Sequence, residues 1–276
     1  MVVAAHSAML LLLLVFPAAL ALVLRRRWGR PKGIVLAGAI AFVFAELARL
    51  IVSKGSDALF RSGALPLPSS ENAALARAVV AGVLTALAIE SVRALMLGRA
   101  VANHEEPNDN APQGDGAPVV LDVRTLLLFG LGFGGAALAL AGALEFLLAG
   151  AALVLEGLDF AQIAEYGLDE VSARRLGLKV YEWWARPPSE PFIFALGQLA
   201  LLAVHAGLTL IAGRGLRGGR ALFYGLATAI HAIMVSCAML FPRAETYGAC
   251  ALVTCALGAV LWRDSSQRAN SAKSAL

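Results

Sequence analysis

Apolar and polar positions divide the chain into seven long apolar segments, residues 4–24, 33–52, 73–97, 125–155, 191–212, 221–241 and 246–262, separated by breaks rich in charge, Pro or Gly. Each approaches the roughly 20 apolar residues with which one α-helix crosses a hydrocarbon core of about 30 Å. The pattern predicts an all-α fold: a polytopic transmembrane helical bundle of about seven spans, forming a single integral membrane domain over residues 1–276. The segment 125–155 is long enough to tilt, or to emerge from the membrane as helix.

Charge next to the segments gives the expected orientation. Residues 1–13 carry no Lys or Arg, whereas Arg25, Arg26, Arg27 and Arg30 follow the first apolar run. This order favours an uncleaved anchor over a removed signal peptide. The alternate loops after residues 24, 97 and 212, with the C-terminal tail, hold about twice the Lys and Arg of the other set, which predicts N-terminus out and C-terminus in.

Two breaks are longer than turns. Residues 100–122, rich in Pro, Asn, Asp and Gly and without helical periodicity, read as a flexible cytoplasmic linker. Residues 156–190 space Leu158, Phe160, Ile163, Leu168, Val171 and Leu176 among charges and end on Tyr181, Trp183 and Trp184 before a Pro pair. That pattern predicts an external amphipathic segment with its aromatic residues at headgroup level, either a passive interfacial anchor or a lid.

Composition agrees with this picture. Hydrophobic residues make up 59% and charged residues 15% of the 276 residues, and the mean hydropathy is +0.74. A soluble domain of this size could not hide so much apolar surface. A pI near 9.2 does not indicate nucleic acid, because the basic residues sit at segment ends and form no stripe. The expected partner is the lipid bilayer. Cys237, Cys250 and Cys255 lie within apolar runs and read as buried packing residues.

The ionisable residues inside the spans carry the chemical information, because a charge at mid-bilayer costs about 2.5–3.5 kcal/mol or more. They are Glu46, Arg49, Arg77, Glu90, Arg93, Glu145, His205 and His231. Glu46/Arg49 and Glu90/Arg93 share the spacing Glu-x-x-Arg, which puts both side chains on one helical face. Alone, that spacing describes a local ion pair, and a lone intramembrane His is commonly a hydrogen-bonded packing residue. Depth adds a further constraint. At about 1.5 Å per residue, Glu90 and His205 lie about 10 Å from the cytoplasmic ends of their spans, and His231 about 15 Å up its own. A carboxylate and two imidazoles thus share one layer in the inner half of the membrane. Imidazoles are common metal ligands and a carboxylate can serve as general base, so the trio has the parts for metal-assisted hydrolysis.

The segments FPAALALVLRRRWGRPKGIVLAGAIAFVFAELARL, AGVLTALAIESVRAL, GLGFGGAALALAG, LALLAVHAGLTLIAGR and GLATAIHAIMVSC resemble, in order and spacing over nearly the whole chain, the YhfC family of intramembrane metalloproteases. These are relatives of the CAAX-prenyl-protease and bacteriocin-processing membrane proteins. The resemblance implies a protease of the bacterial inner membrane, acting on membrane-associated peptide or protein substrates with a divalent metal such as zinc. It makes Glu90 the catalytic carboxylate, Arg93 its buried partner, and His205 and His231 the metal-binding imidazoles. Gly130, Gly132, Gly134 and Gly135 would allow close helix packing beside the site.

The chain also departs from the family pattern. Ile89 stands before Glu90 where an acid is common, Ala136 and Ala137 follow the glycines where a Glu is usual, and Gly197-Gln198 replaces Glu-Arg. Glu145 lies about 12 Å too far along its helix to substitute. Fewer carboxylates remain to hold a cation and orient the histidines. A catalytically inactive relative that binds membrane segments is therefore the alternative to an active hydrolase. A transporter has less support, since no inverted repeats with broken helices are evident. No dinucleotide fingerprint in strand-turn-helix context, Walker lysine or His-Glu-x-x-His occurs.

Overall fold

The architecture is that of a computed structural model, which describes residues 2–30, 32–64, 72–102, 122–218, 221–241 and 243–274. Among the described residues the elements are all helical: α1 (Val2–Trp28), α2 (Gly33–Arg61), α3 (Ala73–Ala102), α4 (Val123–Val154), α5 (Phe160–Ala164), α6 (Glu170–Ala185), α7 (Glu190–Gly218), α8 (Ala221–Leu240) and α9 (Arg243–Ser274). Six of them, α1 to α4, α7 and α8, are long and apolar enough to cross a membrane, and α9 contains a shorter apolar stretch, Glu245–Val260. The protein is a polytopic helical bundle.

Local chemistry fixes several helix ends. Arg25, Arg26 and Arg27 occupy the last turn of α1, where cations complement the helix dipole, and Gly29 follows with φ +63°, a left-handed value that glycine adopts at little cost. Asp122 precedes α4 and pairs with Arg30, tying the entry of α4 to the α1–α2 turn. Asp159 and Gln162 form a reciprocal capping box on α5, and the Asp169 carboxylate accepts the Ser172 amide at 3.0 Å at the start of α6. Both caps satisfy amides that would otherwise lack partners.

Helix α4 forms the centre of the bundle, packed on α1, α2 and α7, while α7 also packs on α9 and α8, and α3 on α8 and α2. Small residues set the distance of approach. A Cβ added at Gly130 would lie 2.7 Å from the Ala206 backbone, so α4 and α7 touch nearly backbone to backbone. Gly134, one turn further on, faces Leu202 and His205. The partners of these glycines run backwards along α7, so the two helices are antiparallel. On the outside, Leu11, Ile51, Leu147 and Leu252 are exposed, as expected of helices whose solvent on that side is lipid.

Three expectations meet the structure differently. The linker expected at residues 100–122 falls largely on positions 103–121, outside the described residues, and Ala100 and Ala102 continue α3. Trp183, expected at headgroup level, is buried, with its ring 4.4 Å from that of His6, and Trp184 donates to the Ala152 carbonyl at 3.2 Å. Helix α6 packs on α4, and these indoles fill the junction with the start of α1, whereas Tyr181 remains exposed. The cysteines do not form core: Cys237 and Cys250 are half-buried and Cys255 is exposed.

Candidate active site

Glu90 and Arg93 project from one face of α3, His205 from α7 and His231 from α8. All four are buried, Glu90 and Arg93 completely. Their contacts form a continuous chain. His231 Nδ1 lies 2.6 Å from Glu90 Oε1, the Arg93 guanidinium is 3.4 Å from the same oxygen, and Arg93 Nη2 is 2.8 Å from His205 Nδ1. Arg93 Nη1 also reaches the His205 carbonyl at 3.4 Å. The ring of Phe133, on α4, lies 4.3 Å beneath the guanidinium carbon and 5.0 Å from the His205 ring. A cation over an aromatic face gains about 0.5–2 kcal/mol.

These contacts give the two histidines different roles. A guanidinium has N–H donors and no acceptor, so His205 Nδ1 accepts from Arg93 and the neutral ring carries its proton on Nε2. At His231 the carboxylate accepts, so Nδ1 carries a proton, and in the neutral ring Nε2 keeps its lone pair. The rings are 6.0 Å apart between centroids. Both line the same cavity of about 420 Å³, walled by Phe42, Ile89, Phe133 and Met234. One histidine with a hydrogen-bond donor and one with a base therefore line a shared space.

Two polar atoms of the centre have no hydrogen-bond partner among the described residues, Glu90 Oε2 and Arg93 Nε. Glu90 and Arg93 neutralise each other, and removal of either would strand a buried charge, at a cost of about 3–5 kcal/mol.

Glu46 and Arg49 form their own pair at 2.7 Å, partly exposed on the cavity wall. Glu145 is paired with Arg186 at 3.2 Å, and Arg186 lies 3.5 Å from Glu190. Glu145 therefore serves the α4–α7 junction and stays out of the centre. Sequence reasoning did not single out Phe133, nor Arg243 and Tyr247, which line the far end of the cavity. The only sequence signal for Phe133 was its place among the glycines of α4.

Helices long and apolar enough to cross a membrane, with a buried carboxylate and guanidinium behind two imidazoles that line one cavity, define an integral membrane protein with a polar centre in its bundle. The chain belongs to the YhfC intramembrane metalloprotease family, whose model matches residues 10–257. Comparison with curated proteins and with solved structures gives no match.

Membership of a metalloprotease family implies a divalent metal. His231, with Glu90 behind its Nδ1, has the carboxylate–imidazole arrangement found at metal-ligating histidines. His205 does not, because its Nε2 carries a proton while Arg93 holds Nδ1. Among the described residues no group of three His, Cys, Asp or Glu side chains is placed to hold a metal ion, whereas catalytic zinc sites use three protein ligands. As arranged here, the donors fall short of a metal centre.

Proposed function

We propose that this chain hydrolyses peptide bonds of membrane-associated substrates, in a bacterial inner membrane, at the end of the cavity lined by His205 and His231, with Glu90 buried behind His231. One observation carries the reading: the buried 2.6 Å contact between His231 Nδ1 and Glu90 Oε1, at a histidine that lines the cavity. A carboxylate in that position orients the ring and stabilises the imidazolium formed when Nε2 takes a proton.

In this reading a water in the cavity gives its proton to His231 Nε2 as its oxygen bonds to the scissile carbonyl carbon. The carbonyl oxygen becomes an oxyanion and accepts a hydrogen bond from His205 Nε2–H, which is fixed in place by Arg93. Collapse breaks the C–N bond, and the His231 imidazolium returns the proton to the leaving nitrogen. The products are an acid and an amine. Burial strengthens each of these interactions relative to water. His205 and His231 as joint metal ligands would require Arg93 first to release His205 Nδ1.

A second reading is favoured by the shortage of donors around the histidines and by the apolar residues Ala136 and Ala137: a catalytically inactive relative that binds membrane segments in the same cavity. Purified protein reconstituted in liposomes with transmembrane reporter peptides separates the two. The first reading expects fragment pairs whose masses sum to the peptide plus one water. Retention of intact peptide without any cut over many hours contradicts it and supports the second.

A further inference from the structure

The cavity does not end at the histidines. Its lining continues along α8 from His231 to Met239, eight residues on, which is about 12 Å of helix. The middle is apolar, bounded by Leu140, Leu201 and Val235. The far rim is cationic: Arg49 from α2, and Arg243 and Tyr247 from the first turns of α9. Glu46 also lies there, but its Oε2 already receives both Nε and Nη2 of Arg49 at 2.7 Å. Arg243 is exposed and has neither an ion pair nor a hydrogen bond among the described residues. Glu245, in the same turn of α9, is not among the residues lining the cavity.

The cavity is thus graded from an acid–base end through an apolar wall to a rim with one uncompensated cation and a neighbouring phenol. We propose that this rim is an oxyanion-binding subsite, with Arg243 as its principal contact and Tyr247 and the outer N–H groups of Arg49 as its support. Its ligand is a carboxylate or phosphate at one end of an amphiphilic substrate whose apolar stretch fills the middle of the cavity. The inference deepens the hydrolytic reading and rests on it for the position of the reacting carbonyl.

Geometry specifies the spacing. An extended peptide advances about 3.3 Å per residue, so the stretch of α8 from His231 to Met239, about 12 Å, matches three to four residues, and Arg243, beyond Met239 in the chain, sets the anion at about that spacing or more from the carbonyl held at His205 and His231. Arg suits the task because its planar fork of donors matches carboxylate and phosphate oxygens, and such charge-assisted bonds are about twice as strong as neutral ones. The apolar segment supplies affinity and the rim sets the register.

The test measures binding separately from cleavage. Full-length protein in a phosphate-free maltoside detergent is titrated with a fluorescent apolar peptide carrying either Asp or its isostere Asn four residues from the central amide. The proposal expects the Asp peptide to bind about tenfold or more tightly in the wild type, the size of one charge-assisted hydrogen bond. Arg243→Gln should bring it down to the Asn value, and Arg243→Lys should restore part of the difference. A short-chain phosphatidyl lipid that displaces peptide from the wild type but not from Arg243→Gln, without Asp/Asn discrimination, would assign the same oxyanion chemistry to a lipid headgroup. Equal binding of both peptides with no lipid competition, or equal weakening of both by Arg243→Gln, overturns the proposal. Discrimination that persists without any peptide cleavage leaves the subsite standing and removes the hydrolytic reading.

Discussion

Arg93 is the residue on which the chemistry of the centre turns. Its guanidinium bridges Glu90 and His205 and rests on Phe133, and by occupying His205 Nδ1 it keeps the proton on Nε2. Loss of this cation should change what the site can bind. With Arg93→Met, His205 is free to present a lone pair from Nε2 and Glu90 keeps its negative charge, so a divalent cation gains a ligand and loses a repulsion. Elemental analysis of detergent-purified protein should find less than one zinc per chain in the wild type and more in Arg93→Met, provided zinc is present throughout purification to offset the stranded carboxylate. Stoichiometric metal in the wild type, lost on His205→Ala/His231→Ala, would contradict this account of Arg93. The sequence did reveal the shared layer of Glu90, His205 and His231, because helix rise converts position along a span into depth. It did not reveal which side of each helix faces inward. Lipid-facing and core-facing positions are both apolar in this bundle, so periodicity carries little information about rotation, and the approach of Arg93 to His205 and Phe133 was not readable.

Among the elements, α4 decides whether the site can assemble at all. Its glycines bring α7 close enough for His205 to sit against Phe133 and Arg93, and Gly130 leaves no room for a methyl group before the Ala206 backbone. Gly130→Ala should therefore push α4 and α7 apart and destabilise the bundle by about 1–3 kcal/mol, as overpacking does, with a lower unfolding temperature in detergent. Gly150 has open space around it, so Gly150→Ala is the control and should be neutral or slightly stabilising through helix propensity. Equal effects at the two positions would deny α4 this role. The glycine-rich run was visible in the sequence as a packing motif, but its partner helix was not. Similarly, the aromatic end of α6 could be read as interfacial, yet the inward turn of Trp183 depends on the start of α1, far away in sequence.

For the molecule as a whole, the positions of the apolar helices were legible because an apolar run of sufficient length needs no partner to identify it, although the seventh run, within α9, is shorter than a full span. The six long helices and the apolar part of α9 correspond to the seven segments. Helix ends were less legible, since α2, α3 and α9 continue beyond their apolar stretches as polar helix. Orientation rests on the distribution of Lys and Arg. A reporter fused after Leu276 should behave as cytoplasmic, and one inserted after Gly167, between α5 and α6, as external; the reverse pair of signals would invert the bundle and place the cationic rim of the cavity on the cytoplasmic side. The central claim, that the Glu90–His231 pair is a working base, is tested most directly by the rate at which reconstituted protein cleaves a membrane-embedded reporter peptide, compared between wild type and Glu90→Gln at matched folding and expression. The amide keeps the shape of the side chain but cannot stabilise an imidazolium, so the rate should fall by about 10²–10⁴-fold, the usual contribution of acid–base catalysis. Cleavage by Glu90→Gln at the wild-type rate would contradict the account.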